Sequence, residues 1–105
     1  MIVHLVLCKL VPETAPEAVE GMIRSTRSQL LKIGEVLSVR TGRPADEANA
    51  YPFFYMVEVE SPAKLVMFLD DPIYVKFMRD VVGPHTYGRS TLNYETEPAR
   101  DTKKP

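Results

Sequence analysis

The segment Ile2–Leu10 (IVHLVLCKL) constrains the fold more than any other part of the chain. It is dense in Val, Ile and Leu, too short for a buried helix, and closed off by Pro12, so it reads as a strand. Strand alternation puts His4, Val6, Cys8 and Leu10 on one face and Val3, Leu5 and Leu7 on the other. Neither set is polar. A strand apolar on both faces belongs at the centre of a sheet that is covered on both sides. Any fold for this chain must therefore find two covers.

The remaining elements supply one. Residues 13–17 (ETAPE) form a helix entrance, with Thr14 the expected cap and acidic residues near the N-terminus. Val19, Met22, Ile23, Thr26, Leu30 and Ile33 then recur at helical spacing, and Arg24, Arg27, Ser28 and Lys32 fill the opposite side. Gly21 weakens this helix locally and Gly34 stops it. A second strand is expected over residues 36–41, closed by Gly42-Arg43-Pro44 and followed by a polar loop over 45–50. The third, over 51–60, sets Phe53, Tyr55, Val57 and Val59 against Phe54, Met56, Glu58 and Glu60.

Ser61 caps a second helix whose first residue is Pro62. Asp70-Asp71-Pro72 interrupts it, because proline disfavours helical geometry in the preceding residue and lacks a donor. Asp71 caps a continuation in which Tyr74, Phe77, Met78 and Val81 recur, ended by Gly83-Pro84. A last strand is expected over 87–95.

The order β-α-β-β-α-β predicts an α+β, ferredoxin-like fold: a four-stranded antiparallel sheet with both helices on one face. Nothing in the chain is left to cover the other face. If the helices pack on Val3, Leu5 and Leu7, the open face carries His4, Val6, Cys8 and Leu10. From the third strand it adds either Phe53, Tyr55, Val57 and Val59 or the set with Glu58 and Glu60. An apolar face of this size marks a partner interface, and the simplest partner is a second copy packed sheet to sheet as a homodimer.

Composition sets the outer bounds. The chain has 105 residues, enough for one domain, here 1–95, with a polar tail over 96–105 expected to be disordered. Thirteen Lys and Arg against fourteen Asp and Glu give a net charge of −1, which argues against a nucleic-acid binder or a polybasic membrane-surface protein. Cys8 is the one cysteine, so no intrachain disulfide can form. The apolar start is too short to span a bilayer and carries no secretory pattern, so a reducing, cytoplasmic location is expected. Two histidines without His-x-x-x-His spacing predict no metal site, and no glycine-rich loop points to a nucleotide cofactor.

Several segments together resemble one family. The run from His4 to Leu10 is similar to the opening strand of the stress-responsive A/B barrel (Dabb) domains, and Val36-Leu37-Ser38-Val39-Arg40-Thr41-Gly42-Arg43 to their second strand. Val57-Glu58-Val59-Glu60-Ser61 and Asp71-Pro72-Ile73-Tyr74-Val75-Lys76-Phe77 resemble the third strand and second helix, and Tyr94-Glu95 the usual ending. The resemblance covers nearly everything but the tail. It implies a dimer whose two sheets close into a barrel, with a central cavity lined by His4, Phe53 and Tyr55. One plant branch of the family consists of polyketide cyclases with a Tyr–His pair on the second helix and further histidines on the first and third strands. Of those positions only the first-strand histidine is kept, as His4; the others hold Phe53, Phe68 and Tyr74. A phenyl ring moves no proton and an ordinary tyrosine is a poor base at neutral pH, so cyclisation by that pair is not expected here. Asp71 stands where many members have a histidine.

His4 is the leading candidate for chemistry, a titratable group on an otherwise apolar strand that could serve as acid or base. The plainer alternative is a neutral core histidine with its nitrogens hydrogen-bonded. Cys8 lies on the same face but about 13 Å away along an extended strand, too far to pair directly with His4, and is read as a small buried hydrophobe. Tyr55, Tyr74 and Tyr94 can offer hydroxyls to a ligand or pack an interface. His85 sits in a loop, and Asp70-Asp71 and Asp46-Glu47 read as a cap and a polar loop. The reading is a homodimeric barrel that binds a small apolar or aromatic molecule through His4, Phe53, Tyr55 and Tyr74, without cofactor. The alternatives are a cofactor-independent cyclase, isomerase or monooxygenase using His4, and an interaction module with a filled interior. How much open space surrounds His4 separates them.

Overall fold

The computed structural model describes residues 1–97 and Lys103. Four strands, β1 (Ile2–Leu10), β2 (Ser38–Gly42), β3 (Phe53–Val59) and β4 (Thr86–Glu95), form one antiparallel sheet in the order β2-β3-β1-β4. The helices are α1 (Pro16–Leu30), α2 (Pro62–Asp70) and α3 (Pro72–Phe77). This is the ferredoxin-like arrangement, with the doubly apolar β1 at the centre as its composition requires. Both expected caps on the second helical stretch are present. Ser61 Oγ accepts from the Lys64 amide at 3.2 Å, and Asp71 Oδ1 from that of Ile73 at 2.8 Å. Asp71 itself is extended (φ −64°, ψ 132°), as its position before Pro72 dictates, and this separates α2 from α3.

Two local expectations are corrected. Thr14 does not cap α1: its hydroxyl donates back to the Val11 carbonyl at 2.6 Å, and the helix starts from Ala15 with no side-chain cap. Beyond α3 the helix does not simply stop at Gly83-Pro84. It widens into a π turn over Met78–Val82, followed by a 3₁₀ turn over Gly83–His85. A Cβ on Gly83 would stand 3.0 Å from the Met78 carbonyl oxygen, so the wide turn is tied to a glycine there.

The larger correction concerns which face is covered. The helices lie on Ile2, His4, Val6 and Cys8 of β1, and on Phe53, Tyr55, Val57 and Val59 of β3, all of them buried. Met22, Ile23, Thr26 and Leu30 of α1, Phe68 of α2, and Tyr74 and Phe77 of α3 complete this layer. The open face carries Val3, Leu5 and Leu7 instead. The register explains the choice: His4 pairs with Val57, Val6 with Tyr55 and Cys8 with Phe53, so β1 must follow whichever face β3 buries. The alternative β3 set contains Glu58, whose desolvation as a carboxylate costs far more than burying a neutral, hydrogen-bonded imidazole. The more apolar β3 set goes inward and takes His4 with it.

Seen across the sheet, the open face consists of Ser38 and Arg40, then Phe54, Met56 and Glu58, then Leu7, Leu5 and Val3, then Ser90, Leu92 and Tyr94. Leu92 is 41% and Tyr94 53% exposed. At the end of β4 the Thr96 amide donates to the Met1 carbonyl at 2.8 Å, and the Met1 ammonium donates to the Thr96 carbonyl at 3.1 Å. Apart from Thr96, Glu97 and Lys103, the tail expected to be disordered lies outside the described residues. Among those described, no helix is long and apolar enough to cross a membrane.

Candidate functional site

His4 sits in the helix–sheet layer, 3% exposed. Its Nδ1 lies 2.6 Å from Oδ1 of Asn93, which neighbours it directly on β4. An amide oxygen only accepts, so Nδ1 carries the proton and the ring is held in one tautomer. The ring stands edge-on to Phe68 of α2, centroids 5.9 Å apart. Burial lowers the His4 pKa from its ordinary value, with the Asn93 bond opposing the shift. The histidine is therefore a neutral, oriented member of the core at physiological pH.

A second polar thread runs through the aromatic cluster around Tyr55. The Tyr55 and Tyr74 hydroxyls are 2.6 Å apart, and the Tyr55 hydroxyl also donates to Met78 Sδ at 3.2 Å. Each phenol has one proton, so when Tyr55 donates to sulfur, Tyr74 must donate to Tyr55. The π turn matters here, because it sets Met78 where its sulfur can accept. Phe77 meets Tyr55 edge-on at 5.5 Å, and Phe68 packs on Tyr74 at 4.3 Å. Burial drives both phenol pKa values up, so neither acts as a base at neutral pH.

The four residues expected to bind a ligand are thus together, but not where expected. His4, Phe53, Tyr55 and Tyr74 lie beneath the helices rather than on the face that a second sheet would close. Phe53 and Tyr55 are 0% exposed, and the layer is filled by their own rings with Phe68 and Phe77. None of five depressions on the described surface is lined by any of the four. Cys8 shares the His4 face and is wholly buried, and burial pushes its thiol pKa up to about 11. Tyr94 stands apart on the open face. His85 is half-buried, its carbonyl accepting from the Val11 amide at 2.9 Å. Asn93 and Met78 were not singled out from the sequence. Strand pairing opposite His4 could have found Asn93; nothing in the sequence signals that Met78 turns its sulfur to a phenol. Among the described residues no three His, Cys, Asp or Glu side chains gather as for a metal ion.

The open face has its own concavity, a depression of about 620 Å³. Val3, Phe54, Met56 and Glu58 form one wall, residues 38–41 of β2 another, and Arg27 of α1 reaches its rim. Glu58 is held in place by the Ser38 hydroxyl, which donates to its carboxylate at 3.2 Å. The lining mixes the apolar Val3, Val39, Phe54 and Met56 with two arginines and one carboxylate, a set that can accept an apolar body and orient a polar head.

The comparisons agree with this architecture. A dimeric ferredoxin-like protein of unknown function from Thermobifida fusca YX superposes with a TM-score of 0.81 at 18% identity, over 90% of each chain. A Dabb family protein with a ferredoxin-like fold from Mesorhizobium loti gives 0.79 at 21% identity, over 92% of this chain and 97% of that one. The hydroxynitrile lyase of Passiflora edulis gives 0.75 at 19% identity, over 92% and 96%. At these identities they establish the fold alone. No curated protein matches the sequence. The family model described as the stress responsive A/B barrel domain matches residues 2–96, and the chain belongs to that family.

Proposed function

We propose that the chain works as a homodimeric A/B barrel, two copies packed sheet to sheet, which holds a small apolar or aromatic molecule between the sheets. The observation that carries this reading is the uncovered apolar face. Val3, Leu5, Leu7, Phe54, Met56, Leu92 and Tyr94 lie side by side across three adjacent strands with no helix or strand of the described residues over them. Four strands about 4.8 Å apart, of nine, five, seven and ten residues at about 3.3 Å each, present a projected area of roughly 500 Å². Its accessible area is larger, of the order of the ~800 Å² per partner in a standard interface. The dimeric Thermobifida fusca relative supports the same assembly.

The ligand site in this reading is the open-face depression. His4, Phe53, Tyr55 and Tyr74 form the rigid layer behind it. Catalysis by His4 has no geometric support, since a substrate would have to displace Phe68 and break the Asn93 bond to reach the ring. Native mass spectrometry tests the assembly: the chain should appear as a two-chain species. Titration with N-phenyl-1-naphthylamine, a neutral apolar fluorophore, should give saturable enhancement. A single-chain species, or a dimer with no saturable uptake, overturns the proposal.

A further inference from the structure

The charges of the open face do not cancel. Of the strand residues on that face, Lys9 and Arg40 are cationic and Glu58 is anionic, two positive charges against one in a chain of net charge −1. Glu58 is engaged by the Ser38 hydroxyl at 3.2 Å, and neither cation forms an ion pair among the described residues. Lys9 stands over the Tyr51 ring, its ammonium 5.8 Å from the centroid, whereas Arg40 is exposed and has no such partner among the described residues. On a single chain water solvates the Arg40 guanidinium. Between two sheets it loses that water, and an enclosed charge without a counter-charge is strongly unfavourable. A second copy cannot supply the balance, because it brings the same excess by symmetry.

Arg40 also stands at the head of an apolar row. It pairs with Met56 on β3, Met56 with Leu5 on β1, and Leu5 with Leu92 on β4. Three strand spacings of about 4.8 Å give this row a span of about 14 Å. Its first two members, Arg40 and Met56, line the open-face depression of about 620 Å³, a volume within the range of small-molecule sites. At about 1.2 Å per bond, an extended chain of ten carbons covers about 11 Å. A head group on that chain then meets a guanidinium one hydrogen bond, about 2.8 Å, further on.

We propose that the molecule held between the sheets is a straight-chain carboxylic acid of about ten carbons. Its carboxylate pairs with the Arg40 guanidinium and its chain lies along Met56, Leu5 and Leu92. This narrows the ligand of the sheet-to-sheet barrel proposed above and rests on that assembly. A guanidinium offers parallel N–H donors to both carboxylate oxygens, a pairing that a neutral head group does not reproduce. One carboxylate per chain brings the enclosed face to neutrality.

The experiment is displacement of N-phenyl-1-naphthylamine from the full-length protein by decanoate, 1-decanol and acetate at neutral pH. Uptake of the neutral fluorophore reads the cavity, and the order of displacement reads the head group. Decanoate should bind about tenfold more tightly than 1-decanol, the worth of one charge-assisted contact, and acetate should displace nothing. Arg40→Gln should take up the fluorophore as the natural chain does, which shows the cavity intact, while the preference for decanoate disappears. Arg40→Lys, which keeps the charge, should retain a preference. No saturable uptake by the natural chain overturns the barrel and this ligand with it. Uptake with 1-decanol as effective as decanoate, or a decanoate preference that survives in Arg40→Gln, overturns the carboxylic acid and leaves the barrel standing.

Discussion

The buried tyrosine pair gives an asymmetry that can be worked out from three atoms. Tyr55→Phe removes the hydroxyl that both accepts from Tyr74 and donates to Met78 Sδ. It leaves the Tyr74 hydroxyl, in a residue 7% exposed, without its partner. An unsatisfied buried donor costs about 1–3 kcal/mol, so a loss of about 2 kcal/mol is expected. In a domain this small that is roughly a 10 °C fall in Tm. Tyr74→Phe removes less, because the Tyr55 proton keeps Met78 Sδ as its acceptor; about 1 kcal/mol is expected. Removing both hydroxyls leaves no orphan, so Tyr55→Phe/Tyr74→Phe should cost no more than Tyr55→Phe alone. The assay is urea unfolding of the four proteins at one fixed concentration, since an assembling chain has a concentration-dependent stability. Equal single-variant costs that add up in the double variant would refute the assignment of Tyr55 as the shared centre.

Three further outcomes follow from the same layer. Gly83→Ala puts a methyl 3.0 Å from the Met78 carbonyl oxygen and should destabilise by about 1–2 kcal/mol by thermal melting, whereas the same change at Gly34, whose added Cβ meets nothing within 4 Å, should not show that clash. The folded-state pKa of His4 lies below its unfolded value near 6.5, so the folded form resists protonation. Its stabilising effect is complete above pH 6.5 and is lost as pH falls through the folded pKa; His4→Gln should flatten that part of the stability–pH curve, as seen by denaturant titration. Cys8 should react with a disulfide reagent only on unfolding at pH 7.5, because it is wholly buried and its thiol is pushed up to about 11; prompt native-state labelling would contradict the packing.

Most of the fold was legible because its signals are local. Pro62 and Pro72 behind Ser61 and Asp71 mark the two helix starts, and apolar spacing marks the faces of α1 and α3. The covered face of β1 was not legible from β1, since both of its faces are apolar. It is decided by Glu58 on a neighbouring strand through register, a non-local constraint. Thr14 was misread because its hydroxyl donates back to the Val11 carbonyl three residues earlier, and α1 starts one residue later, from Ala15. The π turn depends on a carbonyl contact at Gly83 that no periodicity announces. At the candidate site, His4 was found by its oddity on an apolar strand, whereas Asn93 and Met78 are ordinary residues given their roles by the fold.

The central claim is that a second copy covers the face carrying Leu5, and sedimentation velocity of the full chain beside Leu5→Glu tests it most directly. The account predicts that the natural chain sediments at twice the chain mass at micromolar concentration. Leu5→Glu should sediment as a single chain with an unchanged far-ultraviolet dichroism spectrum, because Leu5 touches the open face and not the helix–sheet layer. A natural chain that sediments alone, or a Leu5→Glu variant that still sediments as a pair, would contradict it.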